Sequence, residues 1–235
     1  MAWRKNSTLA GVIKRALLPS GIQTRAILTG PLRGIRMELD LQTQGQLYAG
    51  LCEREIFPVL KRFSKGVRSA VDIGAAYGEY TLYAVLKTDA ERVIAFEPEP
   101  GLWEQLQRNL ELNGINQSSR LELHMKFLRG SAAADSVAAD SLADWIQPPC
   151  LVKMDIEGGE VEVLRAAAPR LLAVPGLRWL IETHGDERRV ACESILSAAG
   201  YTTRYIPQAW WRFLLPELRG TTVGWLVAAR PNELR

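Results

Sequence analysis

Apolar positions follow two different periods from about residue 47 onward. Short runs of consecutive apolar residues predict buried strands, and the segments between them, where apolar residues recur every three or four positions, predict helices. In one such helix Leu102, Leu106 and Leu110 share a face, and Asn113-Gly114 ends it. The predicted strands cover 69–73, 92–96, 120–127, 150–154, 178–183, 201–206 and 221–229. The predicted helices cover 50–65, with a bend at Pro58, and 78–88, 101–113, 159–173 and 187–199.

The order of these elements predicts the fold class. Alternating strands and helices indicate a mostly parallel sheet with helices on both faces. The last two strands have no helix between them, which indicates an antiparallel hairpin at one edge. We therefore expect an α/β protein with a Rossmann-like, seven-stranded sheet. Ligands of such sheets bind beyond the carboxyl ends of the strands, here at 72–78, Glu97, 155–157 and 182–184.

A basic segment precedes this regular pattern. Residues 1–36 contain seven lysines or arginines and no acidic residue. Within this part of the chain, 7–18 predict a short helix with one apolar side, and 35–41 predict a strand. We divide the chain into a basic N-terminal arm, 1–45, and a Rossmann-like domain, 46–235. Three interpretations of the arm stay open: a solvated terminus, contact with an anionic partner, and peripheral contact with a membrane surface.

Composition narrows the class of protein. With 47% hydrophobic and 23% charged residues, the 235-residue chain has the composition of an ordinary globular protein. The net charge of +3 is too small to indicate nucleic-acid binding. Three cysteines without a CxxC pair fit neither a disulfide framework nor a zinc site, and they suit a reducing compartment. No apolar run reaches the length of a membrane span, so we expect a cytoplasmic location.

A candidate cofactor site follows the strand 69–73. Asp72 precedes the turn Gly74-Ala75-Ala76-Tyr77-Gly78, and Glu97 ends the next strand, where a carboxylate binds the ribose hydroxyls of an adenosine. A pyrophosphate needs glycine at the position that Ala76 occupies, and the negative charge of Asp72 repels it. The same charge attracts the ammonium group of a methionine. The pattern favours S-adenosyl-L-methionine over a dinucleotide. The residues expected to bind it are Asp72, Gly74, Ala75, Tyr77, Gly78, Glu97 and Pro98.

Several stretches resemble the FkbM family of methyltransferases. They are VDIGAAYGEYTL (71–82), AFEPEP (95–100), LQRNLELNG (106–114), LVKMDIEGGEVEVL (151–164) and IETH (181–184). The resemblance covers about 45–206, and KMDIEGGE is its most specific part. It implies a seven-stranded Rossmann-like fold, S-adenosyl-L-methionine as cofactor, and O-methylation of a sugar or natural-product hydroxyl.

The chain departs from the family pattern at two places. Ala76 stands where members often have asparagine. The segment between the third strand and Asp140 is shorter than usual and lacks the hairpin found there in other members.

Candidate catalytic groups follow the later strands. A hydroxyl is a poor nucleophile, so O-methylation calls for a nearby base or metal ion. We predict catalytic roles for Asp155, Glu157 and His184. The alternatives are that Asp155 orients the cofactor's amino group, that Glu157 and Glu160 stabilise a helix N-terminus, and that His184 pairs with Glu182. Suitable ligands for a divalent metal ion are also present in Asp155, Glu157, Glu182 and His184, but we do not predict one.

Two further sets of residues have less specific roles. His124 lies inside a predicted strand, which favours a structural role. Trp210 and Trp211 either stack on a sugar or aromatic acceptor or pack under the terminal hairpin.

The predicted function is methyl transfer to a small-molecule or glycan acceptor, without nucleic acid as partner. The alternatives are a nucleic-acid methyltransferase, a protein methyltransferase, and a non-catalytic scaffold that binds the cofactor. The identity of the acceptor and the oligomeric state are not determined by the residues.

Overall fold

The computed structural model of this chain describes residues 18–115, 118–209 and 223–231. All but the last position of the predicted helix 7–18 lies outside the described residues, and so do Trp210 and Trp211. Among the described helices, none is both long enough and apolar enough to cross a membrane.

The described residues form eleven strands and seven α-helices. The strands are β1 (Ile22–Ala26), β2 (Arg36–Asp40), β3 (Ser69–Ile73), β4 (Arg92–Phe96), β5 (Leu121–His124), β6 (Phe127–Arg129), β7 (Ser136–Ala138), β8 (Cys150–Met154), β9 (Leu177–His184), β10 (Thr202–Pro207) and β11 (Val223–Ala229). The helices are α1 (Leu41–Ala49), α2 (Phe57–Phe63), α3 (Glu79–Lys87), α4 (Pro100–Glu111), α5 (Leu142–Trp145), α6 (Glu160–Ala167) and α7 (Asp186–Ala198).

Seven of the strands form the central sheet, in the order β10-β11-β9-β8-β3-β4-β5. Parallel pairing joins the five strands β9, β8, β3, β4 and β5. β11 is antiparallel to both of its neighbours, β10 and β9. The predicted fold class, a mostly parallel seven-stranded sheet with an antiparallel edge hairpin, is confirmed.

Both faces of the sheet are covered by apolar packing. Neighbouring residues of a strand point to opposite faces, so one strand takes part in both. In β3 every position is buried. Ala70 belongs to one apolar cluster, with Leu82 of α3 and Leu106 of α4. Val71 belongs to the other, with Val163 of α6. This double burial explains why the central strands are continuous apolar runs and do not alternate.

The segment that precedes the sheet packs against the domain. β1 and β2 form an antiparallel pair, and Met37 and Leu39 of β2 are fully buried. The backbone N–H of Glu38 donates to the side chain of Asn109 in α4 at 2.8 Å. β1 was not predicted, since four of its five residues are exposed and it lacks an apolar pattern. The division of the chain at residue 45 stays a prediction.

The predicted helix 50–65 is wrong in its first part. Helix α1 ends before it, at Gly50, which adopts the left-handed conformation (φ 72°). A Cβ atom at Gly50 would lie 2.2 Å from the carbonyl oxygen of Thr29, so glycine is required there. After a short 3₁₀ turn, α2 begins with Pro58 in its first turn, where proline is tolerated.

Two other element boundaries differ from the prediction. The predicted strand 120–127 ends at His124, and β6 pairs instead with β7 in a small parallel sheet. Between β6 and β8 the chain forms β7, a short 3₁₀ turn and α5. The predicted helix 159–173 ends at Ala167, because Pro169 follows and cannot continue it; residues 171–173 form a 3₁₀ turn.

Candidate functional site

The turn between β3 and α3 brings the ends of three strands together. The backbone N–H groups of Gly74 and Ala75 both donate to the carbonyl oxygen of Phe96, at 3.0 and 2.9 Å. Gly74 has φ 78°, and a Cβ atom there would lie 2.0 Å from the carbonyl oxygen of Asp155. A Cβ atom at Gly78 would lie 2.4 Å from Leu106. The two glycines thus allow the close approach of β3, β4, α4 and the residues after β8.

Glu97 is held in place beside this turn. Its side chain accepts hydrogen bonds from the backbone N–H of Ala76 at 2.8 Å and of Glu99 at 2.9 Å. Burial raises the pKa of the Glu97 carboxyl, although the two N–H donors act in the opposite direction. Each carboxylate oxygen keeps a lone pair for a ligand hydroxyl. The half-buried Pro98 follows directly.

Ala76 carries local backbone strain. Its φ is 47°, in the left-handed region that asparagine tolerates better than alanine. We expect Ala76→Asn to raise the free energy of unfolding by about 0.5–1 kcal/mol. Ala76→Val should lower it instead, because a β-branched side chain fits this conformation worst. Urea denaturation measures both, and equal stabilities of the two variants would contradict the assigned strain.

A buried ion pair lies under the turn. The Nζ atom of Lys153 is 3.1 Å from a carboxylate oxygen of Asp72, and the two side chains are 5% and 4% exposed. The other oxygen of Asp72 accepts a hydrogen bond from the Thr81 hydroxyl at 2.7 Å. Lys153 also donates to the carbonyl oxygen of Gly74 at 2.7 Å. Burial alone would lower the pKa of Lys153, but the carboxylates of Asp72 and Asp155 raise it above its ordinary value.

Lys153 was missed at the sequence level. Its signal was a single lysine within the otherwise apolar strand CLVKM, in the same stretch that resembles the FkbM family. Parallel pairing sets Lys153 beside Asp72 in the register of β3 and β8.

A cavity opens between the turn after β3 and an N-terminal segment that consists of residues 32–60. Its empty volume, including its open mouth, is about 590 Å³. Its lining residues are Leu32, Leu47, Cys52, Glu53, Phe57, Leu60, Ala76, Tyr77, Glu79, Tyr80, Lys153 and Asp155. The Tyr80 hydroxyl donates to Glu53. Burial raises the pKa of Glu79 to about 7, and the carboxylates of Glu53 and Asp72 add to the shift. Glu53 and Glu79 were also missed at the sequence level.

Three of the candidate catalytic and metal-binding residues converge at the ends of β8 and β9. Asp155, Glu182 and His184 each offer a ligand atom, and these atoms lie within 4.8 Å of one another. Nε2 of His184 is 3.7 Å from a carboxylate oxygen of Glu182. Glu157 is exposed in the following turn and does not belong to this cluster. Its catalytic role stays a prediction.

His184 has a second carboxylate partner that sequence reasoning did not find. Nδ1 of His184 is 2.7 Å from Oε1 of Glu160, whose side chain is fully buried. The hydrogen bond with Glu160 raises the pKa of His184, although burial opposes the shift. Glu160 follows Gly159 at the start of α6, and its position in the sequence indicates only a role at the helix N-terminus.

His124 lies apart from this cluster. Its ring stacks with the rings of both Phe96 and Trp145, with centroids 4.9 and 5.2 Å away. Burial lowers the pKa of His124. This packing agrees with the structural role that was predicted.

Comparisons with known proteins agree on the fold. No protein-family model and no curated protein matches the chain. The structure of methyltransferase FkbM from Methylobacillus flagellatus KT aligns with a TM-score of 0.55 and 22% identity, over 69% of this chain and 43% of that one. An rRNA methylase from Streptococcus thermophilus aligns with a TM-score of 0.52 and 13% identity, over 76% of this chain and 97% of that one. A putative methyltransferase from Streptococcus mutans in complex with SAH has a TM-score of 0.49.

These likenesses define the class of fold to which the chain belongs. The order of the seven strands, the glycine turn after β3 and the first two alignments together show a Rossmann-like methyltransferase fold. The chain spans less than half the length of the FkbM structure, and membership of the FkbM family stays a prediction.

Proposed function

We propose that this protein is an S-adenosyl-L-methionine-dependent methyltransferase that methylates a hydroxyl group of a small molecule or glycan. The observation that carries the proposal is Glu97, whose buried carboxylate is held by two backbone N–H groups at the end of β4. A carboxylate in that place, beside a glycine turn, suits the two hydroxyls of an adenosine ribose.

The charges around the cavity support a cationic cofactor. Glu53 and Asp155 line it, and so does Glu79, whose pKa is about 7. Among the described lining residues the only lysine is Lys153, which is already paired with Asp72. Such a lining attracts the sulfonium and ammonium groups of S-adenosyl-L-methionine and repels a pyrophosphate or a nucleic-acid backbone. Direct contact of Asp72 with the cofactor stays a prediction. Both carboxylate oxygens of Asp72 already have protein partners, the Thr81 hydroxyl and the ammonium group of Lys153.

The remaining cofactor contacts stay predictions on the residues of the turn. In this proposal the backbone of Gly74, Ala75 and Gly78 faces the methionine part. Tyr77 lines the cavity, and Pro98 is proposed to border the ribose because it follows Glu97 directly.

The acceptor is proposed to lie between the cavity and the ends of β8 and β9. In methyl transfer the hydroxyl oxygen attacks the methyl carbon, the carbon–sulfur bond breaks, and the hydroxyl proton leaves to a neighbouring group. Asp155 lines the cavity and also belongs to the cluster with Glu182 and His184. We assign alignment of the hydroxyl and acceptance of its proton to Asp155 and His184.

Calorimetry on the full chain tests the cofactor assignment. We expect S-adenosyl-L-methionine to bind, and Glu97→Ala to weaken binding by about 1–3 kcal/mol, as the loss of a charge-assisted hydrogen bond does. Glu99→Gln is the matched control, because Glu99 is an exposed carboxylate two residues away whose backbone N–H is kept. Tighter binding of NAD than of S-adenosyl-L-methionine, or undiminished binding by Glu97→Ala, would overturn the assignment.

A further inference from the structure

We propose that Asp155, Glu182 and His184 form a binding site for one divalent metal ion of the manganese type. One atom from each side chain can face a common point, since the three ligand atoms lie within 4.8 Å of one another. Asp155 comes from the end of β8 and the other two from the end of β9, so the rigid sheet holds all three. This proposal adds a metal ion that the residues alone did not lead us to predict.

The orientation of His184 supports this site. A carboxylate only accepts hydrogen bonds, so the 2.7 Å contact with Glu160 assigns the proton of the neutral imidazole to Nδ1. Nε2 is then the atom with a lone pair, and it faces Glu182 at 3.7 Å. A histidine whose far nitrogen donates to a buried carboxylate is the usual arrangement of a metal-binding histidine.

The buried charge around His184 points in the same direction. Glu160 is fully buried, and its Oε2 atom has no hydrogen-bond partner among the described residues. Glu182 is only 2% exposed and belongs to the same cluster. Buried carboxylates are costly unless positive charge compensates them. The imidazole of His184 contacts both Glu160 and Glu182, and Lys153 lies 3.9 Å from Asp155. A divalent ion between Asp155, Glu182 and His184 would add positive charge to this group of carboxylates.

The ligand set indicates the type of ion. Two carboxylates and one imidazole suit Mn²⁺ and related divalent ions of the first transition series, whereas Mg²⁺ and Ca²⁺ prefer oxygen ligands alone. Three protein ligands leave coordination positions open. Because Asp155 also lines the cavity, those open positions are proposed to face the acceptor.

The site also narrows the class of acceptor, a step that rests on the proposed methyl transfer. An ion with open positions binds a hydroxyl oxygen and makes its proton easier to remove. Two open positions suit an acceptor with neighbouring oxygen atoms, such as a sugar diol. Asp155 and His184 would then hold the ion instead of accepting the proton themselves, and the hydroxyl proton would leave to solvent water.

Titration of the metal-free full chain with Mn²⁺ tests the site without any cofactor or acceptor. Electron paramagnetic resonance of the free ion should show one saturable site per chain. We expect His184→Ala and Glu182→Gln each to weaken binding at least tenfold, and Glu160→Gln to weaken it about 10–100-fold as its support of the imidazole is lost. Glu187→Gln, an exposed carboxylate in the first turn of α7, is the matched control and should leave binding unchanged.

The alternative is that His184 is protonated and serves as the counter-ion by itself. Absence of saturable Mn²⁺ binding below about 1 mM in the folded chain would overturn the proposal. Equal Mn²⁺ affinities of Glu182→Gln and Glu187→Gln would overturn it as well. If His184→Ala does not fold, as judged by circular dichroism, Asp155→Asn takes its place and should show the same tenfold loss.

The outcome is independent of the cofactor assignment. Binding of Mn²⁺ without binding of S-adenosyl-L-methionine would contradict the proposed function and leave the metal site standing. Cofactor binding without Mn²⁺ binding would do the reverse.

Discussion

Lys153→Met is expected to lower the free energy of unfolding by about 3–5 kcal/mol, because it leaves the buried carboxylate of Asp72 without its cation. The pair is held at 3.1 Å, and both side chains are almost fully buried. The same substitution removes the hydrogen bond that Lys153 donates to the carbonyl oxygen of Gly74. Urea denaturation monitored by circular dichroism measures the loss.

Two further variants separate the ion pair from simple loss of packing. In the double variant Asp72→Asn, Lys153→Met no uncompensated charge is buried, so most of the lost stability should return. Arg68→Met removes an exposed ion pair with Glu91 and should change stability by about 0–1 kcal/mol. If the double variant is no more stable than Lys153→Met, the buried charge is not the cause.

The pH dependence of stability provides an independent measurement. The pKa of Lys153 is raised in the folded state above its ordinary value of 10.5. The stabilisation is therefore fully present below about pH 10.5, and it is lost as the pH rises through the higher folded-state pKa. In Lys153→Met the unfolding free energy should show a smaller decline above that pH than in the parent chain.

Gly74→Ala is expected to lower the free energy of unfolding by about 3–5 kcal/mol and to abolish cofactor binding. Two effects add at this residue. Its φ of 78° disfavours any side chain, and a Cβ atom would lie 2.0 Å from the carbonyl oxygen of Asp155. The backbone must move, and with it the turn that holds Glu97 against Ala76.

Gly114→Ala is the matched control for this substitution. Gly114 has φ 74°, close to that of Gly74, but a Cβ atom there would meet nothing within 4 Å. Only the conformational cost of about 1–2 kcal/mol should remain. Urea denaturation of both variants, with calorimetry of S-adenosyl-L-methionine, measures the difference. Equal losses at the two glycines would show that the contact with Asp155 does not constrain the turn.

The predictability of the fold differed between its elements. The strands 69–73, 92–96 and 150–154 were predicted with the bounds observed for β3, β4 and β8. They are buried on both faces, so their apolar character is a local property of the chain. β1 and β7 were not predicted. β1 is mostly exposed and β7 is only three residues long, so neither has a recognisable apolar pattern.

The candidate site shows the same division. Glu97 and the glycine turn were recognisable, because a strand, a tight turn and an acidic residue at the end of the next strand are local features. Glu160 was not recognised as a partner of His184, which lies 24 residues later. Glu53 and Tyr80, 27 residues apart, meet only because the N-terminal segment folds over the turn.

What the sequence by itself determined is the class of fold and the places where strands end, because periodicity and turn chemistry act over a few residues. Only the tertiary structure decided which charged groups meet. Lys153 and Gly74 lie 79 residues apart and come together through the pairing of β3 with β8. The register of β8 against β9 likewise brings Asp155 to the residues that follow Ile181. Such contacts depend on the order and register of distant strands, and these are set by the packing of the whole sheet.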